Sequence, residues 1–364
     1  MELYIFDREL NLQGLVDNFF SLRWTRRYHK TGEFELHTAL TSETMELLRR
    51  ENILWKTDDL EAGCIEHREL TQDNQGKEVL MVRGKFLTNY LGRRIVWGIE
   101  NLNTTPERVI RVLIDKNCIS PDNQDRVIPL LELGELKNYP GSIRLQIGYK
   151  NLLEAVENIA ETGGLGIRTL LDVQNKKLVF DIYQGLNRIA GQGENPPAIF
   201  SREFENIVEQ EYFDSLNNYR NLALVAGEGE GVDRELVTVG DGDGLDRYEL
   251  YVDARDLQSV DENEQPVPPE EYAELLVSRG KSKLAEYKEV QTFDSKINLK
   301  NNLRYKEDFN LGDIVTVINK RWGITMDVRI TEIEEVYEPG RWEIYCTFGN
   351  AVPTLIDKIK QVVR

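Results

Sequence analysis

Two segments near opposite ends of the chain follow the same plan of three short strands, and this repeat constrains the fold more than any other feature. Residues 52–84 contain NILWK, AGCIEHREL and VLMVRG, separated by polar turns. Residues 313–349 contain DIVTVINK, MDVRITEIEE and IYCTFG in the same order, and both segments end in glycine. Apolar and polar residues alternate in these runs, which is the period of a strand with one buried face.

The likeness extends into and beyond the two segments. Each has an acid in its middle strand, Glu66 or Asp327, and a turn glycine, Gly76 or Gly340. An alternating run precedes each one (FELHTAL, SKINLKNNL), and a run with a single apolar helical face follows (KFLTNYLGRR, TLIDKIKQVVR). We therefore predict a duplicated small β-barrel, with one copy at each end of the chain. Chance similarity remains the alternative, because alternating strands resemble one another in any case.

The sequence between these segments has a different pattern. Thr104, Thr105, Pro106 and Glu107 combine a capping box with an early proline and predict a helix that ends near Lys116. A second helix is predicted over 150–162, ending at a glycine pair, and a hairpin follows from IRTLLDV and KLVFDIY. These elements predict a small α+β domain.

The predicted fold class is α+β and mostly β: two similar small β-barrels, an intervening α/β domain and an inserted helical segment. Paired prolines at 196 and 197 mark one boundary, because proline resists the interior of helices and strands. The predicted division is 1–98 for the first barrel, 99–195 for the α+β domain, 196–256 with 288–350 for the second barrel, 257–287 for the inserted segment and 351–364 for a C-terminal helix.

A glycine-rich acidic stretch, residues 223–244, reads ALVAGEGEGVDRELVTVGDGDG. With Gly244 at position 6 of an EF-hand loop, Val239 and Leu250 occupy ligand positions 1 and 12, so the calcium pattern fails. No Lys-Ser/Thr pair or helix follows, so a phosphate loop is also disfavoured. We predict instead a strand over 235–239 between glycine turns, closing a hairpin with 247–253.

Composition excludes several classes of protein. The 364 residues carry a net charge of −18, which disfavours nucleic-acid binding because phosphate neutralisation needs a basic face. The densest basic run, RWTRRYHK at 23–30, alternates and indicates a strand at a sheet edge. Three distant cysteines form neither a zinc motif nor a disulfide framework. We expect no signal peptide and no membrane insertion, because the N-terminus is charged and no long apolar run occurs.

No catalytic, cofactor-binding or metal-binding residue is predicted. The three histidines, His29, His37 and His67, fall on predicted strands, where a turn at Gly32 could bring His29 and His37 to face each other across a hairpin. No spacing of Cys or carboxylate completes a metal set. No GxSxG elbow or cysteine triad is present. The tryptophans lie on or beside predicted strands, which indicates core or protein-interface roles. Carbohydrate stacking is the weaker alternative, because these rings spread over the chain.

Four stretches resemble the tail hub proteins of bacteriophages, of siphophage or prophage type. They are YIFDRELNLQGLVDNFFSLRWTRRYHKTGEFELH, NILWKTDDLEAGCIEHREL with GKFLTNYLGRRIVWG, the glycine-rich stretch continuing to 257, and FNLGDIVTVINKRWGITMDVRITEIEE with CTFGN. The resemblance covers nearly the whole chain. It implies a virion structural protein of the baseplate, with two related β-barrels per chain, and no catalytic residue is carried over.

The resemblance also implies a place in the particle. Three copies would form a homotrimer with six barrels, matching a sixfold tail tube to a threefold spike. Implied neighbours are the distal tail or tail tube protein, the tape measure protein and a spike or fibre protein. DNA would pass through the ring during ejection without specific binding. The expected location is the virion tail, assembled in the cytoplasm of the bacterial host, at the tip that attaches to the host cell.

Two other functions remain open on sequence grounds. The first is a tail-associated peptidoglycan hydrolase, since some members of the resembled family carry a lytic or fibre-like extension, which we expect to be absent after Arg364. The second is a receptor-binding or glycan-binding tail module that uses exposed aromatic rings.

Overall fold

The structure is a computed structural model that describes residues 1–349, except 73, 75, 232, 233, 261–264 and 301. The C-terminal helix predicted over 351–364 lies outside these residues. Among the described helices, none combines the length and the apolar character needed to cross a lipid bilayer.

Strands at the start of the chain curl around a core of their own. The elements are β1 (Leu3–Phe6), β2 (Leu12–Val16), β3 (Ser21–Arg27), β4 (Glu33–Ala39), α1 (Ser42–Leu47), β5 (Ile53–Lys56), β6 (Ala62–Gln72) and β7 (Glu78–Phe86). The strand order is β3-β4-β7-β6-β5-β1-β2. Alternate residues point inward, and the rings of Trp24 and Phe86 lie 4.5 Å apart in this core. We call these elements the first strand group.

The middle of the chain contains the predicted helices and hairpin. After a 3₁₀-helix (Leu87–Arg93) come β8 (Ile99–Thr104), α2 (Pro106–Ile114), β9 (Leu131–Leu133), β10 (Ile143–Gly148), α3 (Leu152–Thr162), β11 (Gly166–Asp172) and β12 (Lys177–Tyr183). The predicted hairpin is confirmed as β11 and β12. Thr105 caps α2, but Glu107 does not close a capping box, because its carboxylate accepts hydrogen bonds from the amides of Lys137 and Tyr139.

The second half of the chain contains another curled group and a separate insert. In chain order the elements are β13 (Asn187–Arg188), β14 (Ile199–Ser201), β15 (Ile207–Ser215), β16 (Leu222–Ala226), β17 (Leu236–Gly240), β18 (Glu249–Asp253), α4 (Pro269–Ala285), β19 (Val290–Ile297), β20 (Ile314–Asn319), β21 (Ile324–Glu338) and β22 (Arg341–Gly349). The second strand group has the order β15-β19-β22-β21-β20, with β13 and β14 both paired to β20. It encloses a core that includes Phe200, Phe293 and Phe348.

The two strand groups are built on the same pairing scheme. β5 pairs with the beginning of β6, and β7 pairs with β6 from Gly63 to its end. In the same way, β20 pairs with the beginning of β21 and β22 with its remainder. Both long strands carry a bulge after an isoleucine, at Ile65 and at Ile330. Opposite these isoleucines lie Gly84 and Phe348, one residue away from the glycine-to-glycine correspondence that the sequence suggests. Alignment on the bulges likewise makes Thr331, rather than Asp327, the equivalent of Glu66.

The groups are joined, which corrects the prediction of two separate barrels. β3 pairs antiparallel with β4 on one side and with β21 on the other. Within the described residues, the two groups therefore form one continuous sheet of 14 strands. The basic run 23–30 was predicted to lie at a sheet edge, and this is wrong, because β21 satisfies the second row of backbone groups on β3.

The glycine-rich stretch belongs to a third sheet. β16 is central in it, pairing antiparallel with β17 and parallel with β18. The predicted hairpin between 235–239 and 247–253 is therefore wrong, because the chain crosses over β16 to reach β18. α4 packs on this sheet around the core residues Val225, Val239 and Leu276. A Cβ at Gly280 would lie 2.7 Å from Val239, so this glycine allows the close approach of helix and sheet. The predicted inserted segment, 257–287, contains α4, and the sheet on which α4 packs begins at Leu222. We call this sheet together with α4 the insert.

Candidate assembly interface

The contact between β3 and β21 joins the two strand groups, and we call it the junction. Its register runs from Leu22 opposite Tyr337 to Arg27 opposite Glu332. Because directly opposite residues of an antiparallel pair share one face of the sheet, the junction has two chemically different faces. One face is open to solvent, and the other faces the interior.

The solvent face of the junction carries ion pairs. The Arg27 guanidinium lies 2.6 Å from the Glu332 carboxylate and 2.7 Å from that of Glu33. Arg23 lies 3.7 Å from Glu334. These groups are partly exposed, so each pair contributes at most about 1 kcal/mol. These ion pairs therefore favour this register of β3 against β21 but add little to the stability of the junction.

The interior face holds a buried ion pair that connects the groups. The Lys56 ammonium at the end of β5 lies 3.1 Å from the Glu335 carboxylate, and both side chains are fully buried. The Tyr337 hydroxyl donates to the same carboxylate at 2.5 Å. Lys56 also lies 2.8 Å from Asp58, which is half exposed. Burying such charges costs several kcal/mol per ion, so each depends on its partner across the junction.

A second buried cluster lies beside this pair. Asp59 accepts a hydrogen bond of 3.0 Å from the Trp24 indole and lies 3.7 Å from the Arg26 guanidinium. Arg26 in turn donates to the hydroxyl of Tyr305, which precedes β20. Polar residues of both strand groups are therefore hydrogen-bonded across the junction, although the buried Nε of Arg26 has no hydrogen-bond partner.

The pKa values of Asp59 and of the nearby buried Glu61 are shifted in opposite directions. Although burial opposes it, the positive charges of Arg26 and Lys56 lower the pKa of Asp59. Burial and the neighbouring Asp59 charge raise the pKa of Glu61 to about 8, against the opposing effect of Arg26 and Arg168. Glu61 is therefore protonated in the folded protein at neutral pH.

We expect Glu61→Gln to remove a pH dependence of stability. Between the ordinary pKa of 4.5 and the folded value of about 8, the folded state holds a proton that the unfolded state releases. Wild-type stability should therefore fall as pH rises through this window, by on the order of 3 kcal/mol. Urea unfolding midpoints at pH 5, 6.5 and 8 measure it, with the exposed Glu9→Gln as control. Parallel pH profiles for wild type and Glu61→Gln would contradict the assignment.

Each strand group also has a strand with one unpaired edge. Among the described residues, β15 pairs only with β19, and the part of β6 beyond the bulge pairs only with β7. By the shared pairing scheme, β15 corresponds to β3, and this part of β6 corresponds to the part of β21 that receives β3. The chain thus contains one junction, and the two strands equivalent to those of the junction each have an unpaired edge within the described residues.

The histidines are not brought together. His29 lies in the turn after β3, where its Nδ1 donates to the Leu165 carbonyl, and burial lowers its pKa to about 4. It does not face His37, which lies opposite Ser21 at the far end of the hairpin and contacts Glu35 at 2.7 Å. The expected approach of His29 and His37 is therefore wrong. His67 is exposed on β6.

The cysteines and tryptophans are also dispersed. Burial raises the pKa of all three cysteine thiols, that of Cys118 to about 12. No cluster of His, Cys, Asp or Glu suited to a metal ion occurs in the described part of the chain. Trp24 is buried in the first core, whereas Trp97, Trp322 and Trp342 are exposed at separate places.

Sequence reasoning missed the buried charges of the junction. A signal was present, because Glu335 is in phase with Ile333 and Tyr337 and therefore lies on the inner face of β21. An acid at an inward strand position requires a buried partner. Nothing in the local pattern identifies Lys56 as that partner, since it lies 279 residues away.

The family of the chain follows from its sequence as a whole. The model of the family described as "Siphovirus ReqiPepy6 Gp37-like protein" matches residues 2–350. The chain belongs to this family. No curated protein sequence matches it.

Solved structures agree on the fold. The 43 kDa tail protein of prophage MuSo2 from Shewanella oneidensis has a TM-score of 0.57 and 12% identity, over 96% of this chain and 98% of that one. The prophage tail protein gp18 from Listeria monocytogenes EGD-e has a TM-score of 0.55 and 13% identity, over 100% and 98%. A chain of the Francisella PdpA-VgrG complex has a TM-score of 0.51 and 9% identity, over 97% of this chain and 53% of that one. The protein thus has the fold of phage tail proteins and resembles a VgrG-complex chain.

Proposed function

We propose that the protein is the structural hub of a phage tail tip. Three copies form a ring that joins the sixfold tail tube to the spike or fibre, and DNA leaves through the ring. Each copy contributes two barrel-like units, which are the two strand groups. The proposal assigns the protein no enzymatic activity.

The observation that carries the proposal is the junction. Two strand groups with the same pairing scheme meet side by side in one chain, through β3 and β21. Among the described residues, β15 and the part of β6 beyond its bulge each have an unpaired edge. Head-to-tail contacts of this kind generate closed rings when the rotation between units permits closure. Three copies with two units each supply six similar positions, the number that a sixfold tube requires.

Contacts between the middle domain (β8 to β12 with α2 and α3) and the insert support a position for both at the outside of the ring. Arg144 on β10 lies 3.0 Å from Glu271 and 3.0 Å from Glu274, two acids of α4. The Gln146 side chain accepts a hydrogen bond from the Gln258 amide in the insert. These contacts tie the middle domain to the insert. We propose that they point outward, where they meet the distal tail, tape measure or spike proteins.

The negative charge of the protein supports the proposal that DNA passes through the ring. The net charge of the chain is −18, and β21 presents Glu332, Glu334 and Glu338 on the face where β3 presents arginines. The arginines are engaged by these acids, so the surface offers DNA few free cations. A wall of this kind repels phosphate and keeps the strand from adhering. We propose that this face lines the channel.

Imaging of whole tail particles tests the proposal. We expect three copies in a ring below the tail tube, with the solvent face of the junction turned toward the axis. An affinity label on the exposed side chain of Leu245 in the insert should appear at the outer rim. Copies found on peripheral fibres would contradict the hub role, and turnover of peptidoglycan by the purified chain would contradict the non-enzymatic one.

A further inference from the structure

The correspondence of the two strand groups fixes which residues of β15 and β6 are equivalent to the junction. Val82 and Cys346 occupy the same place in their groups, two positions before Gly84 and Phe348. Leu36 lies opposite Val82, and Ser295 lies opposite Cys346. Continuing outward, Leu22 lies opposite Leu36, and Gln210 lies opposite Ser295. Gln210 on β15 is therefore the equivalent of Leu22 on β3.

The same alignment relates the other two strands. The bulges make His67 the equivalent of Glu332, so Gln72 is the equivalent of Tyr337. In the junction, Leu22 lies opposite Tyr337 and Arg27 lies opposite Glu332. Transferred to the open edges, this register places Gln210 opposite Gln72, and Ser215 opposite His67.

We infer that β15 of one copy pairs antiparallel with β6 of a second copy in this register. The inference rests on the proposed hub function and specifies the contact between copies that a ring requires. On the inner face it places Asp214 opposite Arg68 and Tyr212 opposite Leu70. On the outer face it places Phe213 opposite Glu69 and Glu211 opposite Thr71.

The chemistry of the two edges fits this pairing. No two like charges lie opposite each other in it, and the one directly opposed pair of charges, Arg68 with Asp214, is attractive. Leu70 is 54% exposed, although its equivalent in the junction, Glu335, is fully buried. Tyr212 is equivalent to the fully buried Trp24. An apolar residue left in solvent at a position that the junction buries indicates a missing strand beside it.

Pairs of introduced cysteines test the register in assembled particles. Adjacent opposing pairs alternate between wide and close spacing, so one of two neighbouring pairs has the separation that a disulfide needs. The variants are Glu69→Cys with Phe213→Cys, and Leu70→Cys with Tyr212→Cys. The shifted control is Glu69→Cys with Glu211→Cys. The native cysteines are buried, which keeps the background low.

Oxidised particles are then separated under denaturing conditions. We expect one in-register variant to give covalent dimers and trimers with nothing larger, and the shifted control and each single cysteine to give monomers. A threefold ring in images together with monomers from both in-register variants would overturn the pairing and leave the hub role intact. Copies outside the tail tip would overturn the hub role, and a cross-link from the shifted control would overturn the register.

A charge exchange gives a second measurement that does not depend on disulfide geometry. Arg68→Asp places two acids opposite each other, so we expect particles to lose the protein. Adding Asp214→Arg restores an opposite-charge pair and should restore incorporation. Arg68 also donates to the Met45 carbonyl at 3.0 Å, and both Arg68→Asp and the double variant lack this bond. Equal thermal midpoints of these two purified variants therefore verify that folding does not cause the difference in incorporation. Failure of Asp214→Arg to rescue Arg68→Asp would overturn the inference.

Discussion

Lys56→Met is expected to lower the free energy of unfolding by about 3–5 kcal/mol, because it leaves the Glu335 carboxylate buried without its cation. The two charged groups lie 3.1 Å apart, and both side chains are inaccessible to solvent. The hydroxyls of Tyr337 and Tyr305 donate to Glu335 but cannot neutralise it. Chemical unfolding at pH 7, followed by tryptophan fluorescence, measures the change.

Two matched variants make this result specific. Lys85→Met changes an exposed lysine of β7 and should shift stability by no more than about 0.5 kcal/mol. Lys56→Met combined with Glu335→Gln removes both charges and keeps an acceptor for the tyrosines, so it should recover part of the loss. Equal midpoints for Lys56→Met and Lys85→Met would show that the ion pair does not hold the junction.

Gly84→Ala is expected to destabilise the first strand group by about 4 kcal/mol or more, which is an exceptional loss for one methyl group. A Cβ at this position would lie 1.8 Å from the Cys64 carbonyl oxygen and 2.7 Å from the Phe34 ring. The oxygen belongs to the backbone of β6 beside the bulge, so it cannot rotate away. Relief requires separating β6 from β7.

The matched control is Gly193→Ala, where a Cβ meets nothing within 4 Å. We expect its unfolding midpoint to stay within about 0.5 kcal/mol of wild type. Thermal and urea unfolding of both variants, measured together, provide the comparison. Similar midpoints for the two alanine variants would mean that the bulge relaxes around the methyl group.

The alternating pattern was sufficient to predict the twin three-strand segments, the helices after Thr105 and before Gly163, and the β11–β12 hairpin. These elements are local, and their periods are visible within about ten residues. The correspondence of Gly84 with Gly349 was wrong by one residue, because the bulges that set the register leave no local trace in the sequence.

Long-range partners were beyond the reach of the same pattern. The period of β3 shows that one face is buried. It does not show that β21, in which Glu332 lies 305 residues after Arg27, covers the second edge of β3. The path from β17 across β16 to β18 was missed for a similar reason, since a hairpin and a crossover have the same strand residues. The ion pair between Lys56 and Glu335 was missed for the same reason, because the polarity of a residue does not identify its distant partner.

The acidic character of β15 has a consequence for copies that have not yet assembled. An unpaired strand edge is a template for any other edge, including its own kind. Two β15 strands meeting antiparallel would bring Glu209, Glu211 and Asp214 of each copy together, and their repulsion opposes such a dimer. The β6 edge beyond the bulge carries one arginine, Arg68, and one acid, Glu69. In the inferred register Arg68 lies opposite Asp214 and Glu69 lies opposite Phe213, so the acids of β15 meet no acid of β6. In the proposed ring, charge therefore disfavours contact between two β15 strands and favours contact between β15 and β6.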